Sequence, residues 1–188
     1  GYRKQNYSWD TRFQSSFNQF SWHIEALIDQ QTPAIDLQQY YGNHNAWSNT
    51  LVPIQNYCFT LGTDSNKWNL KAKVEYNDIK NPIYFNHEEQ VVQVLDFTQV
   101  LKAEIEKEFK LKKWKLIPRF VYQYTGGAIV YRLPDYFASL KAGYAFKAFR
   151  KSLSVFAGAK VTYYNNVQLM SYSPSLGAFY IANNSSVG

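Results

Sequence analysis

The chain has 188 residues and a net charge of +6, from 20 basic and 14 acidic side chains, with 16 Tyr, 13 Phe and 5 Trp. That length points to a single domain over residues 1–188 or to part of a larger one, and no apolar run approaches the roughly eighteen residues of a membrane-spanning helix, which excludes a helical membrane protein. A transmembrane β-barrel stays open, because its spanning segments are only about ten residues long and half of each is polar.

Taken in chain order, alternation of apolar and polar residues predicts strands near 3–13, 17–28, 46–50, 54–61, 68–77, 94–111, 114–124, 137–149, 152–165 and 176–182. Turn-prone stretches separate them at 29–33, 41–45, 62–66, 77–82 and 125–127. The segment from Gln99 to Lys113 also places Leu101, Ile105 and Phe109 at helical intervals of four. It alternates as well, with Lys102, Glu104, Glu106, Glu108 and Lys110 on one side and only Lys107 out of phase, and a strand is the better reading. Phe149-Arg150-Lys151-Ser152 and Leu111-Lys112-Lys113 are short connections that imply antiparallel hairpins. Residues 77–93 and 125–136 are longer connections, and short turns at one end with long loops at the other match outer-membrane barrels.

Two phases follow from the strands. The apolar phase reads Trp68, Leu70, Ala72, Val74, Tyr76; Trp114, Leu116, Pro118, Phe120, Tyr122, Tyr124; Leu140, Ala142, Tyr144, Phe146; and Leu153, Val155, Ala157, Ala159, Val161, Tyr163. Aromatic rings at the row ends, Trp68, Tyr76, Trp114, Tyr122, Tyr124, Tyr144 and Tyr163, are the expected lipid-interface residues. The opposite phase carries Lys71, Lys73, Glu75, Lys102, Glu104, Glu106, Glu108, Lys115, Arg119, Lys141, Lys147 and Lys160, the expected lumen-lining set. Hairpin pairing would set Glu104, Glu106 and Glu108 across from Lys115 and Arg119. A soluble β-sandwich explains the alternation equally well, and explains less well the aromatic row ends, the strands of ten or more residues and the Gly and Ala dispersed through them.

Enzymatic chemistry has little to stand on. Cys58 is a lone thiol that can form no intramolecular disulfide, His23, His44 and His87 are far apart, and Glu88-Glu89 reads as a solvated pair. Gly126-Gly127 precedes no helix, and Ser and Asp occur without an elbow or triad motif. The lysines alternate with apolar residues and form no basic run, so nucleic acid is not an expected partner. Gly1-Tyr2-Arg3 shows neither an initiator Met nor an apolar leader, which leaves localisation to the body of the chain.

Several stretches together have a family likeness. Tyr7-Ser8-Trp9-Asp10, Trp68-Asn69-Leu70-Lys71-Ala72, Asn81-Pro82-Ile83-Tyr84-Phe85, Trp114-Lys115-Leu116, Leu133-Pro134, Val161-Thr162-Tyr163-Tyr164 and Tyr172-Ser173-Pro174-Ser175-Leu176-Gly177-Ala178-Phe179-Tyr180 resemble, in this order, the putative porin family of Bacteroidota outer membranes. The last stretch is the most specific, and 14–41 match least. The resemblance implies an all-β, antiparallel transmembrane β-barrel in the outer membrane of a Gram-negative bacterium, with neither catalytic residues nor a cofactor. The expected partners are outer-membrane lipids and other envelope proteins or chains that complete the barrel. About ten strands ending at Asn183-Asn184-Ser185-Ser186-Val187-Gly188 are expected to be an incomplete barrel, since an open edge in lipid leaves backbone groups unmatched. The expected function is passive diffusion of small hydrophilic solutes. Alternatives are a barrel subunit of a larger outer-membrane complex without an open pore, and a soluble β-sheet module that binds single-stranded nucleic acid or carbohydrate by stacking.

Overall fold

Alternation at a period of two becomes a meander of long antiparallel strands. The computed structural model describes residues 6–42, 45–128, 133–149, 153–167 and 170–181. In chain order it runs β1 (Tyr7–Phe17), β2 (Phe20–Gln31), a one-turn helix α1 (Ile35–Gln38), β3 (Gln39–Tyr41), β4 (Ala46–Ser48), β5 (Ile54–Ser65), β6 (Leu70–Lys80) and β7 (Ile83–Phe85). There follow β8 (Val91–Gln93), β9 (Phe97–Lys107), β10 (Phe109–Leu111), β11 (Trp114–Gly127), β12 (Tyr136–Ala148), β13 (Leu153–Tyr164), β14 (Ser171–Ser173) and β15 (Ala178–Tyr180). One nine-stranded sheet has the order β1-β2-β5-β6-β9-β11-β12-β13, with β10 also on β11, and β1 and β13 are its two edges. The fold is all-β and antiparallel, as the alternation requires.

The two ends of the sheet differ. At one end the hairpins are tight: Phe17 faces Phe20 and Leu111 faces Trp114, leaving two residues between strands. Asn18 (φ 58°) and Lys112 (φ 57°) open those turns in the left-handed region, which fits the twist of two-residue hairpins. At the other end the connections 32–53, 81–96 and 128–135 are long, and the first two carry the hairpins β3–β4 and β7–β8. The first two loops dock on one another and on the β14–β15 region. The Trp47 ring meets Phe85 edge-on at 6.0 Å, Ile181 N–H donates to the Phe85 carbonyl at 2.9 Å, and the Gln93 amide donates to the carbonyls of Val52 (2.8 Å) and Asn81 (3.0 Å). The Glu89 carboxylate accepts from Ser173 (2.8 Å), Ser175 (3.1 Å) and Asn45 (3.3 Å), and these donors, Ser173 foremost, hold its pKa below the usual carboxylate range.

Burial across the sheet is inverted relative to a water-soluble domain. On the apolar phase Val74 and Phe120 are 44% and 45% exposed, while the Glu104 side chain on the charged phase is only 20% exposed. Among the described residues the buried hydrophobic side chains are Leu51 and Val91 under the loops and Val121 in the sheet. A sandwich would lay a second sheet about 10 Å above the apolar rows. Among the described residues the long strands form one sheet, with no second long-stranded sheet beside it.

The strand ends are where sequence and structure part. β5, β6 and β11 run on through the turn-prone stretches to Ser65, Lys80 and Gly127. At Gly62 the His23 ring fills the space a Cβ would take, so the glycine is a packing device inside the strand. Gly127 does need its glycine: φ is +73° and a Cβ would strike the Phe97 carbonyl. The first hairpin turns at Asn18, not at 14–16, because Ser15 takes an apolar-phase position opposite Trp22 and Ser16 meets the Ser21 hydroxyl at 3.0 Å. The segment from Gln99 onward is strand through β9 and β10, interrupted at Glu108, and ends in the turn at Lys112 and Lys113. His44, residues 3–5, the turn residues 150–152 and the terminal stretch 182–188 lie outside the described residues.

Candidate functional site: the charged face of the sheet

Register decides which side chains share a face. On β6 and β9, Lys71 stands opposite Glu106, Lys73 opposite Glu104 and Glu75 opposite Lys102, and on β11 Arg119 stands opposite Glu106. Each of these four rungs therefore sets a cation against a carboxylate. Opposite-charge cross-strand pairs contribute roughly 0.2–1 kcal/mol each, so the ladder orders its own side chains without a large stabilisation.

The strongest contact is diagonal. Arg119 Nε and Nη2 donate to the two oxygens of Glu104 at 2.7 and 2.8 Å, a bidentate pair. Lys73 Nζ donates to Glu75 at 2.7 Å, Asn77 Nδ2 supplies that carboxylate's other oxygen at 3.0 Å, and Lys102 Nζ lies 3.9 Å from Glu104. Near the tight end Glu108 joins Lys115 (3.2 Å) and Lys110 (3.3 Å). Glu104, Glu106 and Glu108 thus face Arg119 and Lys115 as the hairpin predicts. A further pair, Arg12 to Glu25 at 3.1 Å, extends the same face across β1 and β2.

Beyond β11 the face changes character. Lys141 of β12 stands opposite Lys160 of β13, and Lys147 opposite Ser154. Aromatic rings also enter the charged phase here: Phe137 and Tyr164 lie 5.5 Å apart, the Arg119 guanidinium sits 5.7 Å from the Phe137 ring centre, and the Phe156 ring covers Gly143. Sequence reading passed over these rings, although counting from Lys160 in steps of two reaches Phe156 and Tyr164 directly.

The aromatic row ends fall on the opposite, apolar face. Trp114 and Tyr144 meet edge-on at 5.0 Å near the tight end. Tyr122 and Tyr124 share their phase with Leu101 and Ala103, Tyr76 faces Leu101, and Tyr163 faces Ala138. Trp68 sits in the β5–β6 turn under the Lys107 ammonium, 5.7 Å from its ring, and Phe109 lies 5.2 Å from the same nitrogen. The one residue that breaks the strand pattern thus keeps its charge at a ring-lined edge of the apolar band.

Among the described residues no group of three or more His, Cys, Asp or Glu could hold a metal. Cys58 lies in β5 with its sulfur 3.8 Å from the Thr60 hydroxyl, and His87 is 3.8 Å from Glu88. What the described residues of this face offer is an array of opposed charges on β6, β9 and β11 beside a cationic, aromatic margin on β12 and β13. A search of the curated proteins finds no match. The family model described as putative porin matches residues 1–188, and the chain belongs to that family.

Proposed function

We propose that the protein is an outer-membrane β-barrel wall through which small hydrophilic solutes diffuse passively, with the apolar face in lipid and the charged face lining a lumen. The inverted burial carries this reading: apolar rows lie bare while the ion pairs are half-buried. An eleven-residue strand such as β6, at about 3.4 Å per residue and a tilt near 40°, reaches roughly 28 Å, enough for an apolar band of about 25 Å. Closing the sheet requires a partner for the edges of β1 and β13, from further chain or another chain, because unpaired backbone is costly in lipid. Outer-membrane lipids, and envelope proteins where they complete the wall, are the partners this implies. An excess of lysine over carboxylate on the charged face would favour anions modestly.

A second reading, a barrel subunit of a larger envelope assembly without an open pore, is favoured by the docked loops. Trp47, Phe85, Glu89 and Ser173 tie three loop hairpins together at one end of the sheet, as a covered mouth would. Planar-bilayer recording from folded protein separates the two. Stepwise conductance with weak anion preference is expected of the channel, and its absence from properly folded protein leaves the assembly subunit.

A further inference from the structure

We propose that the charged face carries, across β11, β12 and β13, a subsite for small organic anions that bear an aromatic ring. The inference rests on the charged face being a solute-accessible lumen. A groove of about 750 Å³ opens there, lined by Lys113, Lys115, Ile117, Lys141, Lys147 and Phe156. That volume is in the range of small-molecule pockets, and its mix of apolar wall and a few fixed charges is typical of them.

Charge gives the first argument. On β6 and β9 each lysine of this face has a carboxylate opposite, whereas Lys141 faces Lys160, another cation, directly across the β12–β13 pair. Like charges placed opposite one another destabilise a sheet. Among the described residues Lys141, Lys147 and Lys160 make no ion pair, and Lys115 reaches only Glu108 at the groove's rim. An anion between the ammonium groups relieves the repulsion that the sequence leaves unanswered.

Shape gives the second. Gly143 and Gly158 stand opposite each other on β12 and β13, and the Phe156 ring lies over the bare backbone of Gly143. The ring thereby lies at the rung next to Lys141 and Lys160 on the same face. Lysines bind a carboxylate or phosphate as point charges without regard to what it carries. The neighbouring ring adds selectivity for an aryl group by offset stacking.

Calorimetric titration of the full protein in detergent at low ionic strength tests the subsite, with phenyl phosphate and inorganic phosphate as probes. Phenyl phosphate should bind at least tenfold more tightly than inorganic phosphate. The double substitution Lys141→Gln with Lys160→Gln should weaken it tenfold or more, and Phe156→Leu, which keeps the charges and still covers Gly143, should erase the preference between probes. Equal affinity of the wild type for both probes, or binding unchanged in the double variant, overturns the proposal. Native mobility on unheated gels checks that each variant folds. In planar bilayers phenyl phosphate should reduce the wild-type conductance and spare the double variant. Binding that persists in a protein without conductance supports the subsite and counts against the diffusion channel alone.

Discussion

At the scale of single residues, Arg119 and Glu104 concentrate what the charged face does. The guanidinium reaches past its direct partner Glu106 to the carboxylate opposite Val121, an i to j±2 diagonal that long side chains span in a twisted sheet. Hairpin phase alone puts Glu104, Glu106 and Glu108 on the side of Arg119. Which of them takes the bidentate bond depends on twist, which periodicity does not carry. Both side chains are mostly covered, 32% and 20% exposed, so removing one partner strands the other in a poorly solvated place. Arg119→Met should destabilise the folded state by about 1–2 kcal/mol, and adding Glu104→Gln should restore part of the loss, since paired removal of hydrogen-bonding groups costs less than leaving one unmatched. Urea midpoints of the four proteins of the cycle in lipid vesicles measure this. Purely additive losses would show that the pair contributes nothing of its own.

At the scale of elements, the break between β9 and β10 has a local cause. The register Phe109 opposite Leu116 continues Glu106 opposite Arg119, so the two strands are one strand interrupted. Just before β11, Lys113 accepts from Ala145 N–H, and within it Gln123 N–H donates to Asp135, both at 2.7 Å, so odd-numbered residues turn their backbone groups toward β12 and the residues just before it. Even-numbered residues, Pro118 among them, turn toward β9. Proline has no N–H, and the carbonyl it would have met belongs to Lys107, where the ladder stops. Pro118→Leu should join β9 to β10, slow amide exchange at the new position, and stabilise the sheet by about 0.5–1.5 kcal/mol, the usual net worth of one hydrogen bond. Mass-resolved hydrogen exchange over 105–120 reads the result, and fast exchange at position 118 would place the cause elsewhere. Strand existence was legible from alternation at every long element, whereas strand ends were not. Turn-forming residues such as Gly62, Asp64, Asp78 and Gly126 sit inside paired strands, because a strand flanked on both sides overrides local turn preference. The short hairpins β3, β7, β8 and β14 were missed for the opposite reason: three residues are too few to show a period, and docking between loops holds them in place.

At the scale of the whole molecule, the sheet has one apolar face, and the sequence shows this as a strict phase long before any contact is known. The same phase hid the rings of Phe137, Phe156 and Tyr164, since an aromatic among lysines looks like noise until register puts it beside Gly143 or over another ring. Fold class needs only the average of the pattern, while the character of the charged face depends on its exceptions. The two faces can be told apart by neighbouring positions on one strand. Val74 faces Leu61 and Ala103 in the apolar band, and Lys73 faces Gly62 and Glu104 on the charged side. An arginine in mid-band costs about 2–4 kcal/mol in a lipid bilayer, and much less where water already solvates the side chain. Val74→Arg should therefore sharply lower the fraction that folds into lipid vesicles, while Lys73→Arg leaves it near wild type. Heat-modifiable gel mobility after refolding gives both yields. If the two substitutions fold equally well, the apolar face does not meet lipid, and the outer-membrane reading falls with it.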